Sequence, residues 1–368
     1  MNNKRKANIE LLRIISMILI VLHHYVAHGG IVDIDIISGN KFIGEFLYIG
    51  GKLGVVIFIL ISGYFMVDSK FKIRKLIRIY LEVLFYSIAI YILLILSNKI
   101  EFSLTEFVKS MLPISYRQYW FITEYMGLYI FSPFINKLIK SMDKKQYITL
   151  IMVGTITLVI IPTLTPKGKG IYSDMLYFIY LYLLAGYLKK YEIKFINSKK
   201  KCILLIISML IFIMIISTVS TFMAQYIKAF EKGIKYFDKS NSIPILILAL
   251  STFELFRTLE VKENKIIYTL ARTSFAVYLI HDNANFKKIL WNDIFKTSEL
   301  FCASSVKLLI HIIVTIITIY LVCTVIEIIR EKIFEKTIYN IKANKIEKIL
   351  NKIDKKMNVG IDNENIDS

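Results

Sequence analysis

Apolar residues dominate ten stretches of the chain, and each stretch approaches the length of about 20 residues that a helix needs to cross a bilayer. Short polar connectors separate these stretches. We therefore predict an all-α, polytopic membrane protein with about ten transmembrane helices. The stretches cover residues 10–28, 48–67, 76–97, 118–136, 146–163, 174–189, 203–221, 243–259, 266–284 and 304–329.

The composition agrees with this fold class. The 368 residues are 56% hydrophobic, and a soluble chain of this size could not bury so much apolar surface. The formal net charge is +19, but the Lys and Arg residues concentrate in connectors and no nucleic-acid-binding motif accompanies them. We expect membrane lipids rather than nucleic acid to meet this charge. The three cysteines are far apart and show no metal-binding spacing, so neither a disulfide framework nor a metal site is expected.

Basic residues are unevenly distributed between alternate connectors. With the N-terminus inside, the inner connectors include "DSKFKIRK" (68–75) and "KKYEIKFINSKKK" (189–201), whereas outer connectors such as "GGIVDIDIISGNKFIGEF" (29–46) are less basic for their length. Because positive charge favours the cytoplasmic side, we predict that both termini lie inside and that the chain spans the cytoplasmic membrane several times.

The C-terminal segment differs from the rest. We divide the chain into a membrane domain (1–330) and a tail (331–368), in which apolar residues recur at helical spacing among lysines. This pattern predicts a basic amphipathic helix on the inner leaflet, and a charged helix protruding into the cytosol is the alternative. The final residues, "NVGIDNENIDS", are expected to be disordered. The apolar positions are Phe334, Ile338, Ile341, Ile346, Ile349 and Ile353.

The first apolar stretch, "IELLRIISMILIVLHHYVAH" (9–28), carries titratable groups at both ends. Arg13 and His24 are eleven residues apart, which places them within about 20° of one helix face and about 16.5 Å apart along the axis. His23 is rotated about 80° from Arg13, whereas Glu10 and His28 extend the stripe. Such a stripe predicts a face turned to the bundle interior. The alternative is that Arg13 snorkels to the surface and the histidines lie in the interface.

Motifs recur in order at Arg13 with His24 and at residues 51–66, 75–80, 118–136 and 274–283. Together these five stretches resemble the acyltransferase-3 family of bacterial envelope O-acyltransferases. Arg13 and His24 are similar to its Arg-x10-His first helix, and "GKLGVVIFILISGYFM" (51–66) is similar to its second span. "KLIRIY" (75–80) resembles an Arg-x-x-Arg motif, with Lys75 in the first position. "QYWFITEYMGLYIFSPFIN" (118–136) and "SFAVYLIHDN" (274–283) resemble two later spans. The resemblance covers residues 8–330.

The resemblance implies transfer of an acyl group, acetyl in the simplest case, from acetyl-CoA or another acyl-CoA to an envelope glycan or a lipid-linked sugar precursor. The acyl-CoA is a co-substrate, and no permanently bound cofactor is expected. The phosphates of the acyl-CoA would need clustered cations. The candidates are Arg13, Arg74, Lys75 and Arg78. Lysine in the first motif position leaves open whether Arg74 or Lys75 makes the expected contact.

Transfer to a hydroxyl needs a general base, and His24 is the candidate because histidine works near neutral pH. His281 shares a face with Tyr278 and is expected to orient His24 or to bind the acceptor, with a capping or interfacial role as the alternative. Glu124 shares a face with Trp120 and is a candidate to fix the tautomer of a histidine. Trp120 and Tyr278 are the candidate substrate-binding residues.

Two other functions remain possible at this level. The chain could be a transporter or export factor for lipid-linked or extracellular polysaccharide, since ten spans with polar stripes permit this. It could also be a structural membrane scaffold, but a scaffold leaves the motif series unexplained.

Overall fold

The computed structural model describes residues 6–31, 37–165, 171–191, 193, 196–228, 230, 237, 239–300, 302–337 and 344–358. Every regular element within these residues is a helix. The thirteen α-helices of the described residues are α1 (Ala7–His28), α2 (Gly39–Met66), α3 (Ile73–Leu96), α4 (Leu104–Met111), α5 (Trp120–Ser141), α6 (Lys144–Thr155), α7 (Ile161–Leu164), α8 (Asp174–Lys190), α9 (Lys199–Ala224), α10 (Ile243–Arg257), α11 (Lys265–His281), α12 (Ser305–Thr337) and α13 (Asn344–Met357).

All ten predicted stretches coincide with helices, and the all-α class is confirmed. Among the described residues, six helical runs are long and apolar enough to cross a membrane: α1, α2, α3, the α6–α7 run, α9 and most of α12. The helices α8, α10 and α11 have only 17, 15 and 17 residues, and α5 does not meet the same criteria of hydropathy and charge. The count of ten spans and the orientation therefore remain predictions.

Several boundaries differ from those predicted. The helix α2 begins at Gly39, within the expected outer connector, because Ser38 caps it by accepting a hydrogen bond from the Lys41 amide. The short α4 was not predicted. The helix α12 continues to Thr337, past the end of the predicted stretch 304–329. The division into two domains stays a prediction. Ile338, Ile341 and the final residues 359–368 lie outside the described residues. The expected disorder of these final residues therefore stays a prediction.

The centre of the bundle is the pair α1 and α2. The helix α1 packs on α2, α10, α11 and α12, and α2 packs also on α8. Glycines on α2 permit this close approach: a Cβ at Gly54 would lie 2.6 Å from the carbonyl oxygen of Ser16, and one at Gly51 would lie 2.3 Å from Cγ of His23. Small residues allow helices in membranes to pack closely, and here they place the α1 histidines directly against α2.

Candidate functional site

Two cavities adjoin along α1. The first, the histidine cavity, has a volume of about 400 Å³ and is lined by His23 and His24. The second, the basic cavity, has a volume of about 240 Å³ and is lined by Arg13. Both cavities share the side chains of Phe58, Phe121 and Phe275, so they lie on either side of these three rings. The rest of the histidine cavity includes Trp120, Tyr278, Asp174, Lys239 and Asn241.

The basic cavity gathers cations from three helices. Arg13 of α1, Lys75 of α3 and Arg272 of α11 line it together. The Arg13 guanidinium lies 3.0 Å from Glu10, and that of Arg272 lies 3.2 Å from Glu331. The Lys75 ammonium lies 4.9 Å from the centroid of the Tyr129 ring, and a cation–π contact leaves its N–H groups able to donate to an anion.

A chain of hydrogen bonds connects His24 to the backbone of α11. Nδ1 of His281 lies 2.5 Å from the Val277 carbonyl oxygen, and Nε2 of His281 lies 2.8 Å from Nδ1 of His24. A carbonyl can only accept, so His281 must donate from Nδ1, and in the neutral ring its Nε2 is then an acceptor. His24 must therefore donate from Nδ1. In this arrangement Nε2 of a neutral His24 carries the free lone pair that a general base requires.

An aspartate lies beside this pair. Asp282, the C-cap of α11, is 6% exposed and has a carboxylate oxygen 3.9 Å from Nδ1 of His24 and 3.3 Å from Nε2 of His28. Lys287 lies 3.6 Å from the same oxygen. An anion at this distance stabilises the protonated form of His24, which is the form that follows abstraction of a proton.

The three groups His24, His28 and Asp282 offer ligand atoms within 4.8 Å of one another, a spacing that a metal ion could use. Two of these groups already have partners, since His24 bonds to His281 and Asp282 faces Lys287. We therefore interpret the cluster through hydrogen bonding and charge.

His23 also lines the histidine cavity. Its Nδ1 lies 2.6 Å from the Tyr48 carbonyl oxygen, so it must donate there, and its Nε2 is left as an acceptor. The helical phase of α1 gave no role to His23, because it compares only the side chains of α1 with one another. The close approach of α2 at Gly51 brings this second imidazole to the cavity.

The structure brings together most of the candidate residues. His24 and His281 are in contact, Trp120 and Tyr278 line the histidine cavity, and Arg13 shares the basic cavity with Lys75. Their roles in binding and catalysis remain predictions.

Three other candidates lie elsewhere. Glu124 forms an ion pair with Arg117 at 2.7 Å and does not line the histidine cavity. The carboxylate that contacts His24, at 3.9 Å, is that of Asp282. Arg74 is ion-paired with Glu347 of α13 at 3.0 Å and does not line the basic cavity. Arg78 is exposed and lies within electrostatic reach of Glu82.

Sequence reasoning missed Asp282 and Arg272. Asp282 follows His281 directly, within the stretch that resembles the family, and this adjacency was a signal that could have found it. Arg272 has no such signal, because only the packing of α11 brings it to the basic cavity.

Comparison with known proteins identifies one family. The acyltransferase-3 family model, which describes an acyltransferase domain, matches residues 6–328. No curated protein and no solved structure is significantly similar to the chain. The match covers α1 to α11 and most of α12, and it excludes α13.

Proposed function

The chain belongs to the acyltransferase-3 family, and we propose that it is a membrane-bound O-acyltransferase that moves an acetyl group from acetyl-CoA to a hydroxyl of an envelope glycan or its lipid-linked precursor. The observation that carries this proposal is the pair of adjoining cavities, one lined by Arg13, Lys75 and Arg272 and the other by His23 and His24.

The donor would occupy both cavities. Phosphate groups suit the basic cavity, where Arg13, Lys75 and Arg272 supply charge-assisted donors. The pantetheine arm would run past the shared Phe58, Phe121 and Phe275 towards His24. The rise of α1 separates Arg13 from His24 by about 16.5 Å, which is comparable with an extended pantetheine arm. With the N-terminus inside, the phosphates would face the cytosol, where acyl-CoA is available.

The hydrogen bonds of His24 support the following reaction. Its Nε2 takes the proton of the acceptor hydroxyl while the hydroxyl oxygen forms a bond to the thioester carbonyl carbon. The carbon–sulfur bond then breaks, and the CoA sulfur leaves with the proton from His24, so that ester and free CoA are released. His281 is a positioning residue because it holds the tautomer of His24, and Asp282 stabilises the transient imidazolium.

Binding of the donor distinguishes this enzyme from an export factor. We expect the purified, reconstituted chain to bind acetyl-CoA and the Lys75→Ala variant to bind it more weakly. A matched control is Lys99→Ala, at a lysine in the turn after α3 that lines neither cavity. Failure of the wild-type chain to bind acyl-CoA, together with retention of unexported glycan in deletion cells, would support the export function instead.

A further inference from the structure

The helix α13 carries features that the acyltransferase chemistry does not use. It lies outside the family match, yet it packs against the beginning of α3. We propose that α13 binds anionic phospholipid at the membrane surface while it is docked on the N-terminus of α3. This proposal goes beyond the proposed function and does not require it.

Docking depends on two side chains of α13, Glu347 and Asp354, and on Asn358 directly after it, which contact the segment around the start of α3. Asp354 accepts a hydrogen bond from the Ile73 amide at 2.7 Å. Asn358 pairs with the Phe71 backbone in both directions, at 2.9 and 3.0 Å. Glu347 forms the ion pair with Arg74.

These contacts supply the capping hydrogen bonds that the N-cap residue of α3 does not make. Its N-cap residue, Lys72, makes no side-chain capping bond. The first amides of a helix need acceptors, and a carboxylate at this end also meets the positive end of the helix dipole. Asp354 performs both roles from a distant part of the chain, so the docked position of α13 is specified by hydrogen bonds as well as by packing.

The remaining surface of α13 has two sectors. At about 100° per residue, Glu347, Asp354 and Asn358 fall within about 40° of arc, whereas Ile349 and Ile353 lie well outside that arc. Both isoleucines are exposed, at 59% and 36%. Four of the five lysines of α13 have described side chains, which occupy the next sector around the helix and are all exposed: Lys348, Lys352, Lys355 and Lys356.

The charges of the helix are therefore segregated. Its only acidic residues, Glu347 and Asp354, both face α3, so the surface left over is apolar and basic. A helix with this arrangement binds in the plane of a membrane that contains anionic lipid, with the apolar stripe inserted and the lysines among the headgroups.

The position of α13 fits this partner. It is docked at Phe71–Arg74, which includes the first residues of α3, one of the six candidate membrane spans. Fixed where this span begins, the isoleucine stripe would lie near the depth of the membrane interface. Lipid is therefore favoured over a protein partner, which would require the stripe to face the aqueous phase.

The test places a polarity-sensitive fluorophore at two positions of the full chain in nanodiscs. Ile353→Cys reports on the apolar stripe, and Lys355→Cys, about 160° away around the helix, is the matched control. Both are made in a Cys302→Ser background, because Cys302 is an exposed thiol whereas Cys202 and Cys323 are buried. The same background without an added cysteine measures residual labelling. The nanodiscs contain phosphatidylcholine alone or with phosphatidylglycerol, and some carry a lipid-borne quencher.

In discs with phosphatidylglycerol, we expect the emission of the fluorophore at position 353 to shift to the blue and to be quenched, whereas quenching at position 355 should be weak. The signal at position 353 should be lost when Lys348, Lys352 and Lys356 are replaced by Gln. Hydrogen exchange reports docking separately: the Ile73 and Phe71 amides should be protected in lipid and lose protection in Asp354→Ala/Asn358→Ala. Any one of four results would overturn the proposal. These are equal quenching at both positions, a signal at position 353 that does not depend on phosphatidylglycerol, a blue shift without quenching, and unprotected Ile73 and Phe71 amides in the wild type.

Discussion

Asp282 offers the sharpest test of the electrostatics around His24. The substitution Asp282→Asn keeps the shape of the side chain and removes its charge. The carboxylate oxygen lies 3.9 Å from Nδ1 of His24. At an effective dielectric constant of about 20, two unit charges at this separation interact by roughly 4 kcal/mol. His28 and Lys287 also contact Asp282 and share its field, so this value is an upper limit.

The expected consequence is a lower rate of acyl transfer. An energy of about 1.4 kcal/mol corresponds to a factor of ten in rate, so the loss of the carboxylate should reduce kcat by between about tenfold and a thousandfold. The binding of acyl-CoA should change little, since Asp282 does not line the basic cavity. The assay is transfer of radiolabelled acetyl from acetyl-CoA by reconstituted protein to envelope glycan from deletion cells.

Asp293→Asn is the control, because Asp293 is an exposed aspartate in the π-helix Ile289–Ile294 that follows α11 and makes no contact with His24 among the described residues. Protein amount and thermal unfolding are measured for both variants. A folded Asp282→Asn protein with the wild-type kcat would refute the role assigned to this carboxylate.

Three further predictions follow from contacts elsewhere in the chain. Lys75→Ala should raise KM for acyl-CoA more than Arg74→Ala does, because Lys75 lines the basic cavity and Arg74 is paired with Glu347; equal effects in steady-state kinetics would contradict this difference. Gly54→Leu should separate α1 from α2 and lower the thermal unfolding temperature, since even a Cβ would lie 2.6 Å from the Ser16 carbonyl oxygen; an unchanged unfolding curve would argue against the packing. Arg330→Met should destabilise the fold by about 3–5 kcal/mol, because it removes the cation that pairs with the buried Glu327 at 2.6 Å and with Glu82 at 3.6 Å and leaves Glu327 with the hydrogen bond from the Tyr86 hydroxyl; the double variant with Glu327→Gln should recover part of this loss in the same unfolding assay.

The ten apolar stretches were sufficient to predict where most of the helices lie, because a helix in a membrane must present a long apolar run to lipid. The short α4, which is not such a run, was missed. The phase of α1 also predicted that Arg13 and His24 share one side, and they line adjoining cavities. Helix ends were less predictable. The early start of α2 depends on the cap at Ser38, and α12 continues past the end of the predicted stretch 304–329.

The environment of individual site residues depends on contacts between distant parts of the chain. Glu124 has the expected spacing from Trp120, but Arg117 lies close enough to pair with it. The choice between Arg74 and Lys75 depends on Glu347, which is remote in sequence. Spacing within one helix describes neighbours on that helix only, and so these pairings could not be predicted.

The most direct measurement of the central claim is mass spectrometry of envelope glycans from three strains, which carry the wild-type chain, no chain, or His24→Ala at the wild-type protein level. We predict an acetyl mass difference between the wild type and the deletion, and a His24→Ala strain that resembles the deletion, because loss of a general base costs about 10²–10⁴ in rate. Wild-type acetylation in the His24→Ala strain would contradict the account.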